Sequence, residues 1–157
     1  MKEVYEVMAS RRHVVLGSVG MAVAWGVSPP PVLAQGSPTD VRSLLTTLIG
    51  DATPSEGKIS LELPEIAENG NTIPFTVRVE SPMTEADFVR AVHILAPANP
   101  HPRVGSFFFT PHSGKAAVSS RMRLAQTQDV LAVAEMSDGT FNTGKRTVKV
   151  TVGGCGG

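Results

Sequence analysis

The sequence predicts an all-β fold: an immunoglobulin-like antiparallel β-sandwich with a short N-terminal helix and a flexible C-terminal Gly-Gly-Cys-Gly-Gly arm. Three observations carry that expectation. From Lys58 onward, apolar residues recur at every second position in short runs, the period of half-buried strands. Fifteen glycines and twelve prolines punctuate a chain of 157 residues, which is the composition of many turns in a single domain. The one convincing helical spacing is brief, and seven short strands separated by turn signals are what two packed sheets require, with a small barrel as the nearest alternative.

Taken in chain order, residues 1–34 read as a processing segment. Lys2, Arg11 and Arg12 precede a small, apolar run from Val14 to Val27, and Val32 and Ala34 offer a cleavage site before Gln35. The apolar run is too short for a membrane span, which needs about 20 residues. Ser10-Arg11-Arg12-His13-Val14-Val15-Leu16 has the form of a twin-arginine signal, an address for export of a folded protein to the periplasm. Cleavage there leaves a helix-plus-sandwich domain over 35–152 and the arm over 153–157.

The first element of that domain is a helix. Pro38-Thr39-Asp40 supplies a capped start, Val41, Leu44, Leu45 and Leu48 share one face, and Gly50 stops it. So short a helix is marginal alone, so its stripe must pack on the domain or on a partner. Ile59, Leu61 and Leu63 then alternate with polar residues, as do Phe75, Val77 and Val79, with Glu68-Asn69-Gly70-Asn71 as the turn between them. Further strands are expected over Phe88–Leu95, Val104–Thr110, Ala117–Leu124, Val130–Met136 and Arg146–Val152. The prolines at 97, 100, 102 and 111 bound the first two, because a residue without an amide proton cannot continue a ladder.

Composition excludes several functions. Fourteen basic and fourteen acidic residues cancel, and only 18% of residues are charged, so the basic footprint of a nucleic-acid binder is missing. A single cysteine rules out an internal disulfide and a cysteine-rich metal site. His93, His101 and His112 have no ligand-like spacing, and no resident cofactor or metal is expected. Met83, Met122 and Met136 suit core gaps, and Phe107-Phe108-Phe109 must turn at least one ring away from the others. Arg121 and Arg123 share a strand face, for which a solvated edge or ordinary salt bridges are the plainer readings and an anion or an acidic partner the sharper ones.

The chemistry concentrates at Cys155. It is the only strong nucleophile left after export, and Gly153, Gly154, Gly156 and Gly157 surround it with residues that carry no side chain and are costly to order. An extended residue spans at most about 3.3 to 3.6 Å, so on this reading the thiol stands roughly 10 Å beyond Val152. It could thread into a narrow pocket and attack an oxidised sulfur centre. Nothing adjacent in sequence supplies a base, so a thiol enzyme would need His93, His101 or His112 to reach it.

Val148-Lys149-Val150-Thr151-Val152-Gly153-Gly154-Cys155-Gly156-Gly157 resembles the C-terminus of the SoxY family, the sulfur-carrier subunits of the thiosulfate-oxidising Sox system. Ile66–Gly70, Ser81–Thr84, Asn99-Pro100, Arg121–Ala125 and Ala134–Gly139 are similar to the same family. The resemblance implies an immunoglobulin-like sandwich paired with SoxZ as a heterodimer in the periplasm, with Cys155 as the site of covalent sulfur attachment. It implies that SoxAX couples thiosulfate to that thiol, that SoxB releases sulfate, and that SoxCD, where present, oxidises the remaining sulfane sulfur; the carrier itself is not an enzyme. The alternatives are a binding or scaffold protein for sulfide or polysulfide, and a thiol enzyme using a distant histidine.

Overall fold

The computed structural model describes residues 41–154. The expected leader, the Pro38-Thr39-Asp40 cap, Cys155, Gly156 and Gly157 lie outside the described residues. One helix, α1 (Val41–Ile49), precedes nine strands: β1 (Ser55–Glu56), β2 (Ile59–Glu62), β3 (Ile66–Asn69), β4 (Ile73–Val79), β5 (Val89–Leu95), β6 (Arg103–Phe108), β7 (Ala116–Met122), β8 (Gln128–Met136) and β9 (Phe141–Val152). They form two sheets, one in the order β1-β9-β8-β5-β6 with β3 also on β9, the other β2-β4-β7.

Period-two patterning explains the central strands. In β4, Ile73, Phe75, Val77 and Val79 are buried while Pro74, Thr76 and Arg78 face outward. From the other sheet, Val92, Ile94, Val130, Ala132, Ala134 and Val148 meet them in one core. Met83, Met122 and Met136 fill it as their type suggested. Phe107 joins the same core with its ring 6.3 Å from that of Phe75, whereas Phe108 points the other way and is 78% exposed.

The outer face of the larger sheet is apolar too, and α1 covers it. Val41, Leu44, Leu45, Leu48 and Ile49 pack on Leu95, Leu131, Val133 and Phe141. The stripe of the helix therefore finds its partner within the domain. Its stop is as expected: Gly50 takes a left-handed φ of 61° and its amide donates to the Thr46 carbonyl.

Two expectations need correction. The sheets are not purely antiparallel, because β1 and β3 each run parallel to β9, with Ser55 opposite Asn142 and Ala67 opposite Val150. Nor is Glu68–Asn71 a simple hairpin turn between β2 and β4. Those strands do pair, Ile59 with Val79 and Glu62 with Thr76, but the intervening chain first crosses to the other sheet as β3 and turns only at Gly70-Asn71. β3 buries only Ala67, so it carries no alternation by which a local pattern could reveal it.

Candidate functional site

Of the residues expected to form the arm, Gly153 and Gly154 are described, and neither is loose. The Gly154 amide donates to the Leu124 carbonyl at 2.9 Å, the Gly70 amide donates to the Val152 carbonyl at 2.8 Å, and the Leu124 amide donates to the Gly70 carbonyl at 2.9 Å. Three chain segments thus lock together through backbone groups. They approach so closely that side chains do not fit. A Cβ on Gly153 would stand 2.1 Å from the Ala125 oxygen, one on Gly154 2.6 Å from the Gly70 oxygen, and one on Gly70 2.2 Å from the Leu124 oxygen.

This corrects the expected role of the inner glycine pair. Gly153 and Gly154 are glycines because two backbones pass where a side chain would be.

The segment that receives Gly154 is itself held by a buried polar pair. Asn99, 6% exposed, donates through Nδ2 to the Arg123 carbonyl at 2.8 Å and accepts at Oδ1 from the Ala125 amide and from Gln128 Nε2, both at 2.9 Å. Gln128, also buried, accepts at Oε1 from the Ala98 amide at 2.8 Å. Every strong partner is satisfied, so the pair fixes the 123–125 backbone without leaving an orphaned group. Sequence reasoning met Asn99 only as part of the Asn99-Pro100 turn and passed over Gln128. Their signal was an amide on each of two segments otherwise rich in apolar residues.

Beside this junction, where the start of β6 faces the end of β7, a groove of about 540 Å³ is lined by Asn71, Asn99, His101, Arg103, Arg121 and Arg123, among others. No carboxylate lines it. Elsewhere Arg78 pairs with Glu62, Arg90 with Glu135 and Arg146 with Glu65, but among the described residues none of the three groove arginines has an acidic partner. The salt-bridge reading of Arg121 and Arg123 is therefore not what the structure contains. Arg103, which the sequence did not single out, is the third arginine among its lining residues.

The three histidines do not assemble. His93 lies on the outer face of β5, its Nδ1 2.7 Å from Ser106 Oγ and its ring edge-on to Phe108. Burial, and then the positive charge of Arg103, hold its pKa below the ordinary 6.5 against the opposing pull of Glu135. His101 lines the groove, and His112 is exposed in a single 3₁₀ turn over Pro111–Ser113. Among the described residues, no three His, Cys, Asp or Glu side chains come together as a metal site.

The family model described as "Sulfur oxidation protein SoxY" matches residues 45–155. Among solved structures, the sulfur carrier protein SoxY from Chlorobium limicola f thiosulfatophilum is 34% identical, with a TM-score of 0.60 over 71% of this chain and 96% of that one. Superoxide reductase (neelaredoxin) from Ignicoccus hospitalis, 17% identical, has a TM-score of 0.53 over 60% of this chain and 80% of that one, a likeness of fold alone. No curated protein sequence matches.

Proposed function

The chain belongs to the SoxY family of sulfur oxidation proteins, and from that membership we propose that it is a covalent sulfur carrier whose attachment point is the thiol of Cys155. The observation that carries the reading is the position of the chain's single cysteine: it is the next residue after Gly154, whose amide is bonded to Leu124. The thiol thus follows directly on a residue bonded to the domain, and no base stands next to it in sequence to make it a catalyst by itself.

In this proposal a partner cytochrome of the SoxAX kind joins thiosulfate to the thiol. One S–S bond forms between Cys155 Sγ and the outer sulfur of thiosulfate, the thiol proton is released, and two electrons pass to the cytochrome. A hydrolase of the SoxB kind then adds water across the terminal S–S bond, releasing sulfate and leaving a persulfide on Cys155. SoxCD, where present, oxidises that persulfide sulfur. Turnover belongs to these partners, and the chain holds the intermediate between them without a resident cofactor.

The same reading makes the two sheets an immunoglobulin-like sandwich that pairs with SoxZ. Residues 1–34 serve as a twin-arginine export signal, the domain from 35 acts in the periplasm, and the arm is narrowed from 153–157 to 155–157, since Gly153 and Gly154 are packed. Intact-mass spectrometry of the protein from thiosulfate-fed cells, followed by fragmentation, tests it. Sulfur or thiosulfonate additions on Cys155 of a chain starting near Gln35 are expected. A free thiol, or only a symmetric disulfide, would sink the carrier reading.

A further inference from the structure

We propose that the groove between β6 and β7 is an anion site on the carrier itself, in which Arg103, Arg121 and Arg123 hold the sulfonate end of a thiosulfonate borne on Cys155. The inference rests on the carrier reading and adds to it a place on the domain where the loaded thiol is parked between enzymes. Three observations support it. Three arginines line one concave surface with no carboxylate among its lining residues and, among the described residues, no acidic partner elsewhere. Such a surface favours an oxyanion, to which arginine offers paired N–H donors.

The second observation is proximity. Leu124, which receives the Gly154 amide, directly follows Arg123. Asn71, which lines the groove, has its backbone nitrogen 3.1 Å from the place a Cβ on Gly154 would occupy. Gly154, the residue before Cys155, is therefore fastened at the rim, and an S–S bond of about 2 Å extends the sulfonate beyond the thiol. The third is rigidity: buried Asn99 both lines the groove and fixes the backbone of Arg123 and Ala125, so the rim and the anchor move as one. Tethering supplies an effective concentration in the millimolar range for a short link, so a weak anion site is enough to be occupied.

A small anion fits this place better than an acidic protein surface, because the charges line a concavity beside the attachment point. Parking there would keep the reactive terminal sulfur near the domain until an enzyme with a stronger site withdraws it. It would also release the persulfide after sulfate is removed, since the sulfonate that the arginines hold has then gone.

The test loads the full chain with tetrathionate. The Cys155 thiolate attacks the central S–S bond, forming cysteine S-thiosulfonate while the bond's electron pair leaves with thiosulfate, so no further oxidant is needed. A control sample takes a neutral methylthio group from methyl methanethiosulfonate, the thiolate forming Cys–S–S–CH3 as methanesulfinate leaves. Nitrogen-15 spectra of the arginine side chains and backbone are then compared. The anionic adduct is expected to slow Nε–H exchange of Arg121 and Arg123 at least fivefold and to move the Asn71 amide. The neutral adduct is expected to do neither, and Arg121→Gln/Arg123→Gln to abolish the Asn71 response. Identical spectra for the two adducts, or arginine signals that respond only to an added acidic protein, would overturn the inference while the carrier reading stands. Failure of tetrathionate to modify Cys155 at all, seen by mass, would take down both.

Discussion

The Gly154 amide is bonded to the Leu124 carbonyl at 2.9 Å, while Leu124 donates its own amide to Gly70. The end of the last strand is thereby pinned to the ends of two other segments. Glycine at 70, 153 and 154 is a condition of that arrangement rather than a source of slack, because each position has a neighbouring backbone oxygen within 2.6 Å of where a Cβ would be.

Alanine at Gly153 or Gly154 must therefore push backbone against backbone. Each substitution is expected to cost about 2 kcal/mol of unfolding free energy, read from urea midpoints. Cys155→Ser, which only exchanges a thiol for a hydroxyl, is expected to keep the parent midpoint and lose every sulfur adduct. Parent-like midpoints for both glycine variants would show that the junction yields easily and that the inner pair is loose after all.

Asn99→Ala removes partners from the Arg123 carbonyl, the Ala125 amide and Gln128 at once. Leaving buried groups unpaired makes a loss of roughly 2 to 4 kcal/mol the expected result. Amide hydrogen exchange should show protection falling first at Leu124, Ala125 and Gly154, since Asn99 holds the segment to which the terminus is fastened. A loss spread evenly over all nine strands would contradict that chain of dependence.

Ile49 is the most buried residue of α1 and packs with Leu95, Leu131 and Val133. Ile49→Ala is expected to cost about 2 kcal/mol and to expose the outer apolar face, detected as increased binding of a hydrophobic dye. A helix that instead belonged to a partner interface would leave the stability of the isolated domain untouched.

His93 contributes to the pH dependence between pH 7.5 and 5.5. Its pKa is lowered in the folded state, first by burial, so the unfolded chain binds the proton more readily and protonation favours unfolding. The contribution is complete above the unfolded value near 6.5 and is lost as pH falls from there through the lowered folded value. Urea midpoints at pH 7.5 and 5.5 should differ in that direction, and His93→Gln should shrink the difference. An equal slope in parent and variant would assign the acid sensitivity to other groups.

Much of the fold was legible because burial alternation is a local property. Ile73 to Val79 declares its buried face by residue type alone, as does the Val41–Leu48 stripe its helical one, and Phe108 was bound to face away from Phe107. β3 was not legible, since only Ala67 in it is buried and its pairing with β9 is a matter of where a distant strand lies. The site divides in the same way. Cys155 stood out as the only cysteine, and Arg121 and Arg123 as a shared face, while Arg103, Asn99 and Gln128 gained meaning only when their segments met.

The sequence by itself determined which residues alternate into a core, where the helix stops, and which residue is the chain's one thiol, because period, turn chemistry and residue type belong to residues and their immediate neighbours. Only the tertiary structure decided that Gly153 and Gly154 are packed, that Gly70 and Leu124 anchor the terminus, and that three arginines from two strands and their flanks share one groove. Close backbone approach and the convergence of unpaired charge arise between segments far apart in the chain, and no local pattern records which of them will become neighbours.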